Sequence, residues 1–510
     1  MDLQTFLDID WGLMAPEMTV FITAVVLLVI DLFLKKGTSR RPFVWVALLG
    51  VVISLLLSIA QMGTSVVSIL SGTYRVDAFS LAFKMLMLIA AGFVLLMSRD
   101  YDKKNAIAHR GEYYYLLLCA LTGAMMLTSS ADLITLFVSL ELLSLSSYIM
   151  AGLRKNDIAS NEAAFKYLVN GGIATAIILF GMSYLYGFTG TTNLYEMADV
   201  LNVNGHNPVI FSDRFLIVFA FIFLFVGTSF KLATVPFHMW APDVYEGAPT
   251  PVTAFLSVVS KTAGFVLLLR VLIIAFSNAP GLSVSPVSGP ETIFAAIQPY
   301  VAVLAGIAMI YGNTAALKQK NIKRMFAYSS IAQAGYVLVP FVSLTQLTLG
   351  NVWFYLMAYL FMNLGAFAVI QSVAEKEGNA ELKTYSGLYR RSPFAAVAMA
   401  VFLISLAGIP FTAGFIGKFN IFVEALLTTH YWLASVMIGA TVISYFYYFG
   451  VMAKMFLRPS VSETKWALPL GTGIVVVLGL IGTIGFGIVP DAVLGFLHDH
   501  FQLTDFFKKG

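Results

Sequence analysis

The chain has 510 residues, of which 59% are hydrophobic and only 11% are charged, whereas soluble proteins average about 25% charged residues. This balance excludes a water-soluble fold, because a soluble protein of this size needs many more charges to cover its surface. The single cysteine, Cys119, excludes disulfide frameworks, iron–sulfur clusters and thiolate zinc sites, which all need several sulfur ligands. The net charge of +4 comes from short basic clusters between apolar runs, a pattern typical of membrane topology and not of nucleic-acid binding.

Apolar segments alternate along the chain with charged or Gly/Pro/Asn clusters. Segments of about 18–25 residues are long enough to cross about 30 Å of hydrocarbon, so they predict an all-α polytopic membrane protein. We count about fourteen such segments on this length criterion, and they cover residues 13–34, 42–61, 77–97, 113–128, 131–150, 162–188, 215–237, 251–277, 298–316, 324–343, 349–373, 393–424, 431–455 and 467–488.

The basic residues predict how the bundle is oriented. When the connections are numbered alternately, Lys and Arg gather on one set, while the other set holds little more than Arg75, Arg214, Lys508 and Lys509. Because cytoplasmic loops carry the excess of Lys and Arg, we predict that the first set is cytoplasmic; its clusters lie at 35–41, 99–110, 154–155, 318–324, 376–391 and 454–465. Both termini then face away from the cytoplasm, which requires an even number of spans.

Two stretches resemble each other at an offset of about 174 residues: LATVPF at 232–237 and LAGIPF at 406–411. Each places a proline, Pro236 or Pro410, inside an apolar run. A proline there frees a backbone carbonyl that lipid cannot satisfy, so the break must face protein or a wet cavity. Paired broken helices point to a transport path. A partial six-residue match also arises by chance in so apolar a chain, and both interpretations stay open from these residues alone.

Five ionisable residues are singled out inside apolar runs: Glu141, Lys166, Lys231, Lys261 and Lys418. Each costs roughly 2.5–3.5 kcal/mol at the centre of a lone helix, so we expect them to face the bundle interior. Lys166 has an alternative as a snorkelling interfacial lysine, since it lies at i,i+4 from Glu162. Lys84 and Glu424 are taken as interfacial and left out of the set.

A row of buried lysines suits proton transfer. Burial disfavours the charged form of a lysine and a nearby carboxylate restores it, so such a group can be switched. We predict that Glu141 and Lys231 form the switching pair, with Lys261 as relay and Lys418 as terminus. His238, two residues past Pro236, is either a water-bridging group or an ordinary interfacial histidine.

No nucleotide or metal site is predicted. The Gly171-Gly172 pair and the segment Gly471-Thr472-Gly473 lie inside apolar runs without the G-x-G-x-x-G frame. His498 and His500 have no further ligands nearby in sequence, which disfavours a metal site there. The sequence therefore predicts that NADH does not bind this chain.

Several motifs together resemble a known family. The run KLATVPFHMWAPDVYEGAPTPV at 231–252, followed by Ser260-Lys261, closely resembles the N-type subunits of respiratory complex I, which are antiporter-like membrane proteins. The resemblance extends to APE at 15–17, SLELLS at 139–144, EAAFKY at 162–167 and GIPFTAGFIGKF at 408–419. These motifs cover most of the first thirteen predicted spans. The related M-type subunits usually carry glutamate at the position of Lys418, and L-type subunits continue into a long lateral helix, so the N-type is favoured.

The resemblance implies a fold and a set of site residues. It implies fourteen helices with two inverted five-helix repeats and with breaks in helices 7 and 12, at Pro236 and Pro410. Helices 1–3 would occupy residues 1–112, the first repeat (helices 4–8) residues 113–277, the second (helices 9–13) residues 298–455, and helix 14 with its tail residues 456–510. The family's functional residues carry over onto five matching positions: Glu141, Lys166, Lys231, Lys261 and Lys418.

The resemblance also implies a function. We expect a proton-translocating subunit of a NADH:quinone oxidoreductase in the bacterial plasma membrane, surrounded by lipid and by K-, M-, L- and J/A-type subunits. No cofactor is expected in this chain, and flavin, iron–sulfur clusters and quinone belong to partner subunits. Two alternatives remain: a subunit of a multi-subunit cation/proton antiporter, and a purely structural membrane spacer.

Overall fold

The computed structural model of the chain describes residues 9–35, 38–101, 110–202, 214–276, 279–285, 289–460, 464–501 and 506. The two termini, on which the predicted orientation depends, lie outside the described residues. The same holds for five of the basic residues used in that prediction: Lys36, Lys103, Lys104, Lys508 and Lys509.

Helices make up nearly all of the described structure. Twelve helical stretches in the described part of the chain are long and apolar enough to cross a membrane, which confirms the coarse prediction of an all-helical membrane protein. The helices are α1 (Ala15–Phe33), α2 (Phe43–Ala60), α3 (Ala78–Asp100), α4 (Arg110–Ser129), α5 (Leu133–Ala151), α6 (Ile158–Thr189), α7 (Leu194–Val200), α8 (Arg214–Leu232), α9 (Trp240–Gly247), α10 (Thr250–Ile274), α11 (Ile293–Ala316), α12 (Ile322–Ser343), α13 (Thr348–Glu377), α14 (Leu388–Arg391), α15 (Pro393–Ala407), α16 (Ala413–Leu427), α17 (Tyr431–Leu457), α18 (Leu470–Ile488) and α19 (Pro490–His500).

Short elements connect the helices. Trp11–Met14 and Leu382–Tyr385 are 3-10 turns, and α10 contains two π-helical stretches, Leu256–Ser260 and Leu268–Ile274. Two antiparallel hairpins pair β1 (Val67–Ile69) with β2 (Tyr74–Val76) and β3 (Pro280–Ser285) with β4 (Gly289–Thr292).

Burial separates the helices into an inner and an outer set. In α10 every residue of the most apolar window is buried, and α12, α13 and α3 are buried over most of their length. In contrast, only 33% of the most apolar window of α6 and of α17 is buried, as expected of helices that face lipid. The inner helices α10 and α12 carry polar side chains that lipid would not tolerate, so the core of the bundle is where a transport path can lie.

Both proline segments interrupt a helix. The span predicted at 215–237 ends at Leu232, since Ala233 has a left-handed backbone (φ 55°), and the chain resumes as a helix only at Trp240. The span predicted at 393–424 is likewise split, with Gly408 (φ 80°) between α15 and α16. Both interruptions lie beside the prolines at which breaks are expected, Pro236 and Pro410, whereas hydropathy alone does not detect a break inside an apolar run.

Protein groups satisfy the carbonyls that these breaks free. The indole nitrogen of Trp240 donates to the Phe230 carbonyl at 3.0 Å. At the second break, Lys418 Nζ donates to the carbonyls of Leu406 at 2.8 Å and Ala407 at 3.4 Å. A buried carbonyl without a partner is costly, so each break is stabilised by a side chain from beyond it.

An isolated β-bridge before a helix occurs twice in the described chain, at corresponding positions. Just before α5, Asp132 bridges to Asn193, and just before α12, 189 residues later, Asn321 bridges to Glu381. Asp132 and Asn321 are also the N-caps of their helices, each accepting from two backbone N–H groups of the first turn. The same local structure is thus built twice from different residues.

Close helix packing repeats at the same spacing. A Cβ atom added to Gly123 in α4 would lie 2.7 Å from backbone atoms of Ser139 and Leu143 in α5. At Gly312 in α11, 189 residues later, an added Cβ would lie 2.6 Å from the Ala332 backbone in α12. Glycine allows both helix pairs to approach closely.

We expect that replacing Gly123 by alanine destabilises the protein by about 1–3 kcal/mol, because two backbone segments would have to move apart. The effect would be measured as a lower midpoint of thermal unfolding in detergent. The matched control is Gly172→Ala in α6, where an added Cβ meets nothing within 4 Å and the helix gains up to about 1 kcal/mol. Equal midpoints for the two variants would contradict the predicted close packing.

Candidate functional site

Glu141 and Lys231 lie at one end of the polar interior. Glu141 projects from the middle of α5, half-buried, and Lys231 is the penultimate residue of α8, 3% exposed. The carboxylate acts electrostatically on the ammonium group, yet Lys231 Nζ has no hydrogen-bond partner among the described residues. The two predicted partners are therefore near each other without being in direct contact.

Aromatic rings surround the Lys231 ammonium group. Its Nζ lies 5.6 Å from the ring centroid of Tyr148 and 5.9 Å from that of Tyr167. Tyr167 stacks in turn on Trp240 at 4.5 Å, the residue whose indole closes the break after α8. Cation–π contacts of this kind stabilise a desolvated ammonium group by about 2 kcal/mol, so the break and the lysine are held by one aromatic cluster.

Several buried polar atoms in this region have no hydrogen-bond partner among the described residues: Lys231 Nζ, Glu141 Oε1, Tyr148 OH, Tyr167 OH and Ser260 Oγ. Buried polar atoms that lack a protein partner are commonly bridged by ordered water. A hydrated pocket between Glu141 and Lys231 is therefore the expected state of this site.

Lys261 and Lys418 are joined by one face of α12. Lys261 Nζ donates to the carbonyl and hydroxyl of Ser330 at 2.6 and 3.0 Å. One turn further, Gln333 Nε2 donates to the Leu406 carbonyl at 3.3 Å, the same oxygen that accepts from Lys418 at 2.8 Å. The two lysines, 4% and 7% exposed, thus lie at the ends of a row of polar groups on this face, in which Ser330 and Gln333 are one helical turn apart.

Other side chains complete this row. Tyr355 OH donates to Gln333 Oε1, Ser330 lies 3.4 Å from Tyr245 OH, and Lys418 Nζ lies 4.7 Å from the ring centroid of Tyr336. Ser330, Gln333 and Tyr336 are spaced three residues apart and so share a helix face. This spacing is visible in the sequence, but the predicted site consists of ionisable residues and does not include these three uncharged side chains.

Lys166 lies apart from the buried row. Its side chain is 39% exposed and forms ion pairs with Glu162 at 2.6 Å and Asp243 at 2.5 Å. Arg324 also pairs with Asp243, at 2.6 Å. Burial would raise the pKa of the Asp243 carboxyl, but the hydrogen bonds from Lys166 and Arg324 hold it below its usual value. The alternative of an interfacial, paired Lys166 matches this placement.

His238 is buried against an aromatic ring. It is 7% exposed, its ring centroid lies 4.5 Å from that of Tyr311, and its Nδ1 has no hydrogen-bond partner in the described part of the chain. No hydrogen bond connects it to the lysines Lys231 or Lys261 within the described residues. The structure therefore does not join His238 directly to the lysine row.

Lys84, Glu424 and Arg270 are buried charged residues that the predicted site does not include. Lys84 and Glu424, taken as interfacial, are both fully buried, and Lys84 pairs with Glu17 at 2.6 Å. Arg270, which lies inside the predicted span 251–277, is also fully buried and pairs with Asp77 at 2.7 Å. All three have apolar residues on both sides in sequence, so the argument applied to the lysines would have found them.

A metal centre is not indicated within the described ranges, where no group of three His, Cys, Asp or Glu side chains is placed to hold an ion. The chemistry that the arrangement supports is the movement of charge between buried amines, hydroxyls and carboxylates.

Comparison with known proteins agrees with this architecture. The family described as "NADH:quinone oxidoreductase/Mrp antiporter, TM" matches residues 130–444. The chain is 52% identical over 502 residues to NADH-quinone oxidoreductase subunit N of Geobacillus sp. strain WCH70, covering 98% of this chain and 100% of that protein.

Solved structures agree as well. A chain of respiratory complex I from Thermus thermophilus with bound aureothin is 31% identical, with a TM-score of 0.77, covering 94% of this chain and 99% of that one. A chain of the Mrp complex from Dietzia sp. DQ12-45-1b has a TM-score of 0.80 at 17% identity, covering 99% of each chain, and so shares the fold. The chain therefore belongs to the NADH:quinone oxidoreductase/Mrp antiporter family, among the N subunits of NADH-quinone oxidoreductase.

Proposed function

We propose that this chain carries protons across the bacterial plasma membrane as the N subunit of complex I, driven by quinone reduction on other subunits. The observation that carries this proposal is the polar row from Lys261 through Ser330 and Gln333 to the Leu406 carbonyl and Lys418. Buried lysines in a membrane bundle are energetically costly, and where they occur they commonly mark a pathway for ions or protons.

In this proposal Glu141 and Lys231 form the switching pair. The hydrated pocket expected between them lets the carboxylate approach or release the ammonium group, which sets whether Lys231 holds its proton. Lys261 relays the proton and Lys418 receives it. Lys166, with its exposed ion pairs, is placed at the mouth of the path, where it biases proton entry, and His238 serves as a water-bridging group near the break.

We further propose fourteen membrane helices with two inverted repeats. Counting α4, and counting α15 with α16 as one broken helix, adds two spans to the twelve apolar ones. The recurring bridges at Asp132 and Asn321, and the glycine contacts at Gly123 and Gly312, support repeats within 113–277 and 298–455, flanked by 1–112 and 456–510. The basic face is placed in the cytoplasm and both termini outside it.

The redox chemistry is assigned to partners. Flavin, iron–sulfur clusters and the quinone site are placed on other subunits, since this chain has one cysteine and cluster binding needs several. The neighbours in the membrane are proposed to be K-, M-, L- and J/A-type subunits.

The deciding experiment is Lys231→Met in the assembled complex, reconstituted into liposomes. We expect fewer protons moved per quinol formed, because methionine keeps the length of the side chain but carries no proton. Lys320→Met, at an exposed lysine, is the matched control and should leave the ratio unchanged. An unchanged ratio in Lys231→Met would contradict the proposal and is the result that a purely structural spacer predicts.

A cation/proton antiporter subunit is the second candidate, favoured by the shared fold with the Mrp complex. It predicts that membranes containing this chain exchange sodium for protons when no electron donor is present. The complex I proposal predicts no such exchange. A sodium-dependent pH change in donor-free vesicles would therefore favour the antiporter.

A further inference from the structure

Glu424 lies in α16 six residues beyond Lys418, and it is fully buried. Six residues of helix correspond to about 9 Å along the axis. None of the ion pairs formed by the described residues includes this carboxylate. A buried carboxylate without a cation is expensive unless hydrogen bonds replace the water it has lost.

Three neutral donors surround the Glu424 carboxylate. Thr345 and Thr348 hydroxyls donate to Oε1 at 2.7 and 2.6 Å, and Asn351 Nδ2 donates to Oε2 at 2.5 Å. The oxygen–oxygen distances are those of direct hydrogen bonds, so no ion fits between these groups. The ionised form of Glu424 is therefore fully solvated by the protein.

The protonated form is satisfied by the same groups. Thr348 Oγ1 lies 3.3 Å from the Pro340 carbonyl as well, and it accepts from Thr345 N at 2.9 Å. When Glu424 is neutral, its O–H donates to a threonine oxygen and the Thr348 proton turns to Pro340, since a hydroxyl is both donor and acceptor. Both protonation states of Glu424 thus keep their hydrogen bonds. A carboxylate with a purely structural role would need hydrogen bonds in one protonation state only.

Glu424 lies at the end of the bundle opposite the basic face. Asn351, which contacts Glu424, is near the start of α13, and Glu377, which pairs with Arg391, is the last residue of the same helix. The 26 residues between them span about 39 Å, close to the full thickness of a bilayer with its headgroups. Beyond Glu424, Thr428 Oγ1 donates to the Glu424 backbone carbonyl at 2.9 Å and lies 3.1 Å from Nδ1 of the half-buried His430.

We propose that Glu424 is the proton-releasing carboxylate of this chain. The Lys418 ammonium group gives up a proton, which water carries over the distance between the two side chains, and becomes a neutral amine, and the Glu424 carboxylate becomes a carboxylic acid. The acid then gives the proton to water at the membrane surface opposite the basic face, and the carboxylate is restored. This inference rests on the proposed function and adds the exit group that the lysine row lacks.

The test uses the whole complex in liposomes and measures protons moved per quinol formed. In Glu424→Gln we expect the ratio to fall to that of Lys231→Met, and in Glu424→Asp we expect it to be largely retained. Glu196→Gln, the same substitution at an exposed glutamate, is the matched control and should keep the wild-type ratio. A wild-type ratio in Glu424→Gln overturns the inference, as does an equal loss in Glu196→Gln.

A second measurement needs no variant. A hydrophobic carbodiimide modifies buried carboxyl groups in their protonated form, so we expect Glu424 of the wild-type complex to be labelled during turnover and protected in the resting enzyme. Absence of labelling under both conditions overturns the inference. The proposed function and the proposed exit group can be tested separately. A loss of pumping in Lys231→Met together with normal pumping in Glu424→Gln would contradict only the role of Glu424.

Discussion

Replacing Asp77 by asparagine should destabilise the chain by about 3–5 kcal/mol, the usual cost of breaking a buried ion pair, and so sharply reduce the amount of assembled protein in the membrane. Asp77 accepts hydrogen bonds from Arg270 at 2.7 Å and Arg75 at 3.0 Å, and all three side chains are fully buried. Asparagine would remove the carboxylate that pairs with both guanidinium groups. The assay is the quantity of complex extracted from membranes and its thermal midpoint.

The Asp77 effect should depend on pH. Burial would raise the pKa of Asp77, but the charges of Arg270 and Arg75 and the hydrogen bonds from Arg270 and the Ser80 backbone together outweigh burial and hold the pKa below its usual value. A carboxylate with a lowered pKa stabilises the folded state above its unfolded-state pKa, and this contribution is lost as the pH falls through the folded-state pKa. The stability difference between wild type and Asp77→Asn should therefore be largest near neutral pH and shrink in acid.

Asp157→Asn is the matched control for this prediction. Asp157 is also the N-cap of a helix, accepting from Ala159 N at 3.0 Å, but its side chain is 36% exposed in its pair with Arg154. Asparagine caps helices as well as aspartate, so we expect a change within about 0.5 kcal/mol. Similar losses at positions 77 and 157 would show that burial of the charge is not what matters.

The second large effect is expected at Glu141. Glu141→Ala should reduce proton pumping more than Glu141→Asp, because aspartate keeps the charge that acts on Lys231. Without that charge, the protonated lysine bears the full cost of a lone charge in the membrane, about 2.5–3.5 kcal/mol. The measurement is again the number of protons moved per quinol formed in liposomes.

The control for Glu141 is Glu196→Ala. Glu196 is exposed and its carboxylate accepts a hydrogen bond from Thr191 at 2.5 Å, so its loss should leave pumping unchanged. If Glu141→Ala and Glu141→Asp lose pumping equally, the size of the side chain governs the site and the proposed charge coupling is wrong.

Hydropathy located the membrane helices well, since lipid demands long uninterrupted apolar runs and the sequence has to supply them. Hydropathy alone does not show the two breaks, where Ala233 and Gly408 adopt left-handed backbone conformations inside apolar sequence; only the prolines Pro236 and Pro410 mark these places in the sequence. A transfer scale sums side chains and is blind to backbone direction, so the ends of α8 and α15 could not be placed from composition.

The burial of the charged residues was also predicted in part from the sequence and in part only by the structure. Their positions in apolar runs indicated a buried set, and Lys231, Lys261 and Lys418 are indeed buried. The same reasoning left Lys166 open between the interior and the interface, where it is 39% exposed, and it assigned to the interface a Glu424 that is fully buried. Which side of a helix faces the core depends on how neighbouring helices pack. The hydropathy of a single segment does not contain this information.

What the sequence determined by itself is the class of protein, the approximate spans and the presence of costly charges that need partners, because each follows from transfer free energies that add along the chain. Only the tertiary structure decided which groups partner these charges. The shared acceptor at Leu406, the helix face of Ser330 and Gln333, and the donors around Glu424 join residues distant in sequence. Hydrogen bonds depend on distance and direction at the scale of ångströms, and only the packed bundle sets those.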